Sequence, residues 1–268
     1  MNSRPACYVV TGTGRCGTMV VQRLLALSDA TTCVHEQSVR YAKLVDAYLA
    51  DTPASLYSEL DDPFGVRVAE ANAAGQSFGE ASALMFLCVP ELVRRYRADI
   101  RLVLLTRRAE DFVRSAIARG FFDPTHAHAL EHVRPRPDSE LGRRWASASS
   151  IEKCLWYWQI VNSTVLAAFE RLPASQCLVQ PIETFDVAAA ERLCTFLGLD
   201  FEPIRTKADD LLGRRINCTP GLGAAEDANP WSIAPSLDRP DAWPADDRSA
   251  YRTWAAPLMQ RLYGVTTQ

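Results

Sequence analysis

The chain has 268 residues, 48% apolar and 23% charged, which is the composition of a globular protein able to bury a sizeable core. Its formal net charge of -3 lacks the strongly basic balance that nucleic-acid binding favours, and no apolar run approaches the ~20 residues of a membrane span. No Gly/Ser-rich linker and no internal repeat divides the sequence, so a single α/β domain over 1–268 is expected, built on a central, mostly parallel β-sheet flanked by helices.

The opening residues MNSRPACYVV run into a core strand without the basic and apolar regions of a signal peptide, and a cytoplasmic location is expected from that. The first predicted strand, Cys7 to Thr11, leads into Gly12-Thr13-Gly14-Arg15-Cys16-Gly17-Thr18 and then, through Met19, along a helix over 18–27. A triphosphate-binding loop places a lysine after its last glycine. Here Thr18 holds that position and Arg15, inside the loop, is the cation. Glycines let backbone N–H groups converge at a helix N-terminus, where phosphate or sulfate binds; taken alone, the stretch is either such an anion site or a tight strand-to-helix turn.

Strand 32–35 ends at His35, followed by Glu36, and a helix is expected over 39–50. Residues 51–76 show no sustained period. Strand 77–79 and helix 84–97 follow. Strand 102–106 ends in Arg107-Arg108 and enters a helix over 109–119 that carries Asp111, Arg114 and Ser115. A guanidinium fork with a hydroxyl nearby suits a phosphate monoester; a surface salt-bridge cluster has the same composition. Two anion sites at the carboxyl ends of strands in one open sheet imply an elongated ligand with two separated phosphate groups.

The segments 121–150 and 218–245, rich in Pro and charge, are expected to be substrate-covering loops, with Phe121, Phe122, Trp145 and Trp231 offering aromatic surface and His126 and Arg134 polarity. His126, His128 and His132 lack an acidic or cysteine partner at ligand spacing, so a solvated helix face is the expectation and no metal site is predicted. Helix 151–171 holds Trp156 and Asn162, with the tryptophans read as core; strand 176–180 and helices 188–197 and 248–262 complete the alternation. Eight cysteines at 7, 16, 33, 88, 154, 177, 194 and 218 form no C-x-x-C pair and are expected to be buried free thiols.

These motifs, in this order, resemble the sulfotransferase superfamily, enzymes that use 3′-phosphoadenosine 5′-phosphosulfate. "GTGRCGT" at 12–18 is similar to the family's phosphosulfate loop G-x-x-[RK]-[SG]-G-T, with Cys16 at the small-residue position. "RRAEDFVRS" at 107–115 is similar to its 3′-phosphate element R-x-P-x-D-x-x-x-S, with Ala109 in place of proline. "IETFDVAAAERLCTFLGLDFEP" at 182–203 and the tail "WAAPLMQRLYGV" at 254–265 extend the likeness over most of the chain.

The resemblance implies a P-loop-like fold in which Gly12 to Met19 hold the 5′-phosphosulfate, Arg107 and Ser115 hold the 3′-phosphate, and Arg214 and Arg215 assist near the C-terminus. It implies transfer to a hydroxyl of a small-molecule, lipid or glycan acceptor without an obligatory metal, leaving 3′,5′-bisphosphoadenosine. Glu36 is the implied general base, as in Golgi-type relatives, with His35 as the second candidate. One departure stands out: in "GEAS" at 79–82, Ala81 replaces the lysine of the heparan-type E-K-S segment. Arg15 alone, or Arg143 or Arg144, would then supply the positive charge. A P-loop kinase and a non-catalytic nucleotide-binding module are the competing readings, and oligomeric state is open.

Overall fold

The computed structural model describes residues 4–37, 41–51, 63–125, 132–213 and 240–265. They fall into two compact units, Met1–Thr106 with Thr164–Asn217, and Arg107–Ser163 with Cys218–Gln268. The strands are β1 (Cys7–Gly12), β2 (Thr31–His35), β3 (Ser77–Ala81), β4 (Ile100–Thr106) and β5 (Cys177–Pro181). In chain order the helices are α1 (Thr18–Leu25), α2 (Tyr41–Leu49), α3 (Pro63–Ala73), α4 (Val89–Tyr96), α5 (Ala109–Ala118), α6 (Glu140–Arg143), α7 (Ser150–Phe169), α8 (Val187–Leu197), α9 (Arg205–Leu212), α10 (Ala245–Ala250) and α11 (Ala256–Tyr263).

All five strands lie in the first unit as one sheet, ordered β2-β3-β1-β4-β5, with every neighbouring pair parallel. Parallel strands need crossover connections, and helices on both faces bury the central strands completely, which is why β1 and β4 read as near-continuous apolar runs. Alternation along β1 divides the interior into two cores. Cys7 and Val9 pack with Phe78, Leu102, Phe64 and Leu92 on one face. Tyr8 and Val10 pack with Val103, Leu105, Leu24 and Leu193 on the other.

Several elements differ from the sequence expectation for physical reasons. The helix predicted over 84–97 is a 3₁₀ turn, Leu84–Leu87, followed by α4 with Pro90 in its first turn; proline lacks the N–H that a continuous helix would use there. Helix α3 occupies part of the stretch read as irregular. Helix α9 carries charge on half of its residues and fully buries only Ala208, with Leu211 and Leu212 partly buried against the core, so its apolar stripe is too short to announce it. Near the C-terminus the expected single helix is α10, a π-helical turn over Tyr251–Ala255, and α11. Pro257 removes the N–H that would reach the Thr253 carbonyl, and one wide turn precedes it, with Ala256 N–H bonded to Tyr251 O.

In the second unit, Phe112, Phe121, Phe122 and Tyr157 form an aromatic cluster. Phe121 and Phe122 are therefore interior packing rather than pocket surface, both being buried. His132 belongs to the same cluster, with its ring centroid 3.7 Å from that of Phe121, rather than to a solvated helix face. Trp145 rests edge-on against Phe122 and Trp156. Trp156 and Trp158 are buried, as core tryptophans should be. The segment 121–150 is not wholly irregular: Ser139 caps α6 by accepting the Gly142 N–H at 3.1 Å.

Among the described residues no helix is long and apolar enough to cross a membrane. The described cysteines are free thiols, all buried except the half-buried Cys177.

Candidate functional site

The strand-to-helix loop at 12–18 is built by backbone conformations that side chains rarely adopt. Gly14, Arg15 and Gly17 have φ of 72°, 54° and 90°. Glycine takes such values freely, whereas an arginine there is strained, a condition that persists where the surroundings fix the backbone and that gathers at functional sites. A Cβ at Gly12 would lie 2.3 Å from the Leu105 carbonyl oxygen and 2.6 Å from Cys16 Sγ. Gly12 is thus required by close approach of β4 and by the Cys16 side chain, which is packed into the core with Val10 and Val21. The sequence placed Cys16 among the anion-holding residues; its thiol is interior packing, which leaves its backbone to the loop.

Helix α1 begins at Thr18 with Gly17 as its N-cap, and no side chain caps it. Its first-turn N–H groups, from Thr18 and Met19 onward, have no partners within the helix, and no acidic residue stands in that turn. Together with the macrodipole this is a donor set suited to an oxyanion, so the loop fits a phosphosulfate group. Thr13 turns its hydroxyl to the Gly14 carbonyl at 3.0 Å, fixing the loop from within. Arg15 is half-buried.

The end of β2 meets this loop although β3 lies between β1 and β2. Helix α1 makes the connection: Gln22 Nε2 donates to the Cys33 carbonyl at 3.0 Å, and Thr18 Oγ1 lies 3.3 Å from His35 Nε2. Glu36 follows in a left-handed conformation, φ 54°, with its Oε1 4.0 Å from His35 Nε2. Burial pulls the His35 imidazole below its ordinary pKa and the neighbouring Glu36 opposes that shift. His35 therefore lies against the first residue of α1, with Glu36 beside it. Ala81, at the departure from the heparan-type pattern, is buried and is the register partner of both Val10 and His35.

In the second unit, the Arg107 carbonyl accepts the Trp158 indole N–H at 2.8 Å, so a buried tryptophan of α7 fixes the residue that follows β4. Sequence reading treated that tryptophan as core alone. Ser115 is buried on α5, and Asp111 pairs with Arg114 at 2.6 Å along the same helix. Arg144 forms a bidentate pair with Glu152, both contacts 2.6 Å, and Arg143 donates to the Asp138 carbonyl. Both arginines offered as substitutes for the lysine absent at Ala81 are thus engaged locally. Arg214, Arg215, His126, His128 and Trp231 lie outside the described residues, as does 218–239 of the second expected loop. No group of three His, Cys, Asp or Glu suited to a metal occurs among the described residues.

No family model matches the chain, and no curated protein matches it. Solved structures do. A sulfotransferase from Mycobacterium avium, STF9, aligns at a TM-score of 0.54 and 11% identity, over 98% of this chain and 78% of the other. The sulfotransferase domain from the curacin biosynthetic pathway aligns at 0.50 and 13% identity, over 94% of this chain and 98% of that domain. At such identities the likeness speaks for architecture alone: a parallel five-stranded α/β sheet carrying a strand–loop–helix, which is the fold of the sulfotransferases.

Proposed function

We propose that the protein is a sulfotransferase that moves the sulfuryl group of 3′-phosphoadenosine 5′-phosphosulfate to a hydroxyl of a small-molecule, lipid or glycan acceptor. The observation that carries this reading is the meeting of the loop's Thr18 with His35 at 3.3 Å, beside Glu36. A helix start whose uncapped N–H groups suit an oxyanion then lies close to a candidate proton acceptor, which supports the reading. Sulfotransferase architecture supports it independently.

The donor supplies a sulfuryl group joined to a 5′-phosphate that is already a good leaving group. In the transfer, a bond forms between the acceptor oxygen and sulfur, the bond from sulfur to the phosphate oxygen breaks, and Glu36 takes the acceptor's proton. Arg15, Thr18 and the first-turn N–H groups of α1 stabilise the charge that builds on the departing phosphate; preorganised donors of this kind act most strongly where charge develops. Arg107 and Ser115 hold the 3′-phosphate, the former through a donor fork and the latter through its hydroxyl. A kinase reading is the weaker one because Thr18 stands where a lysine would reach a γ-phosphate.

The test is incubation with donor labelled in the sulfuryl group and a panel of phenols, sterols, lipids and glycans, followed by separation of labelled products. Label on a hydroxyl compound, dependent on Glu36, supports the reading. Phosphorylated products with ATP–Mg²⁺ and no sulfated ones would replace it with the kinase.

A further inference from the structure

Glu80 is fully buried in β3, the strand between β1 and β2, where it is the register partner of Val9 and Val34. A carboxyl group taken wholly out of water is costly unless hydrogen bonds replace its hydration. One such bond leads directly to the candidate base: Glu80 Oε1 accepts the backbone N–H of Gln37 at 3.0 Å. That amide belongs to the peptide joining Gln37 to Glu36, the residue with φ 54°. A non-glycine residue holds such a conformation only where its surroundings determine it, and this bond crosses 43 residues of sequence to reach the peptide that defines the turn.

We propose that Glu80 is a positioning residue for sulfuryl transfer. Its carboxyl holds the left-handed turn after β2, and that turn keeps the Glu36 carboxylate beside His35 and the phosphosulfate loop. The inference rests on the proposed role of Glu36 as base. Glu80 itself touches neither donor nor acceptor. A hydrogen-bonded carboxyl oxygen anchored on an interior strand fixes the turn more firmly than a surface contact, because β3 is hydrogen-bonded on both sides.

The experiment compares Glu80→Leu, which fills the site without an acceptor, with Glu80→Gln, which retains an acceptor oxygen. Each is made in the wild-type and Glu36→Gln backgrounds. Turnover is read as release of 3′,5′-bisphosphoadenosine from the donor with water as acceptor, and the turn is read separately as amide exchange at Gln37. Glu80→Leu is expected to accelerate Gln37 exchange at least tenfold and to lower kcat about tenfold, with the Kd for 3′,5′-bisphosphoadenosine within about twofold of wild type; Glu80→Gln restores both readings. In the Glu36→Gln background, Glu80→Leu should change kcat by less than about twofold, since both changes act on one group.

Equal losses in the two backgrounds, or Gln37 exchange unchanged by Glu80→Leu, would overturn the proposal. Should Glu80→Leu fail to fold, Glu80→Gln decides alone: a tenfold fall in kcat with Gln37 still protected contradicts positioning through this bond, and retained turnover with protection supports it. Normal turnover in Glu36→Gln by itself overturns the base assignment, and with it the catalytic consequence, while Gln37 exchange still reports whether Glu80 holds the turn.

Discussion

Thr18 Oγ1 and His35 Nε2 lie 3.3 Å apart, joining the first residue of α1 to the last of β2 across the intervening β3. The contact ties the loop to the carboxyl end of an edge strand, and it has a consequence for stability. Burial lowers the His35 pKa below its ordinary value, partly offset by Glu36. The unfolded chain therefore binds this proton more readily than the folded one, so His35 contributes no penalty above about pH 6.5 and a growing one as pH falls through that value. Replacing it in His35→Gln should flatten the acid side of the stability profile. Urea unfolding at pH 7.5 and 5.5 checks this; the same pH dependence in wild type and variant would show that His35 is not responsible.

Arg15 combines strain with function. Its φ of 54° suits glycine, so Arg15→Gly should leave unfolding stability unchanged or raise it by up to about 1 kcal/mol. The same change should cut turnover by on the order of 10²–10³-fold, the typical effect of removing one preorganised donor. Thermal unfolding and kcat measured on the same preparation test the pair of outcomes, and a stable variant with unimpaired turnover would remove Arg15 from the mechanism.

Glu36→Gln should keep the affinity for 3′,5′-bisphosphoadenosine within about twofold and reduce kcat by roughly 10²–10⁴-fold, the range for a lost general base. Steady-state kinetics with direct binding separates the two quantities. Unimpaired kcat with an authentic acceptor would shift the role to His35.

Gly12→Ala drives a Cβ to 2.3 Å from the Leu105 backbone oxygen, which cannot rotate away. A loss of about 1–3 kcal/mol is expected, as for overpacking in a core, together with weaker nucleotide binding because β1 and the loop must shift. Denaturant unfolding gives the first quantity and titration the second.

Much of this was legible in the chain because its signals are local. The apolar runs of β1 and β4 and the glycines at 14 and 17 announce a strand–loop–helix, since buried parallel strands need continuous apolar residues and left-handed turns favour glycine. Left-handed Arg15 and Glu36 carry no such sign, and the turn at Glu36 is bonded through the Gln37 N–H to Glu80, 43 residues away in sequence. Strand order was equally hidden, because nothing local to β3 says that it inserts between β1 and β2. The same holds for Phe121 and Phe122, which read as pocket surface in one dimension, and for His132, which reads as part of a solvated helix face; in three dimensions they form one interior cluster. Helix α9 escaped because Ala208 is its only fully buried residue and Leu211 and Leu212 only partly cover its last turn, which leaves too short a stripe to count.

Under the proposed function, this chain binds a 3′-phosphorylated adenosine nucleotide at the loop that carries Arg15. Calorimetric titration with 3′,5′-bisphosphoadenosine, set against 5′-AMP and ATP–Mg²⁺, tests it before any acceptor is known. A Kd on the order of micromolar or tighter is expected for the bisphosphate, corresponding to about −8 kcal/mol, with 5′-AMP much weaker and the preference lost in Arg107→Ala. Tight ATP–Mg²⁺ binding without any requirement for the 3′-phosphate would contradict it.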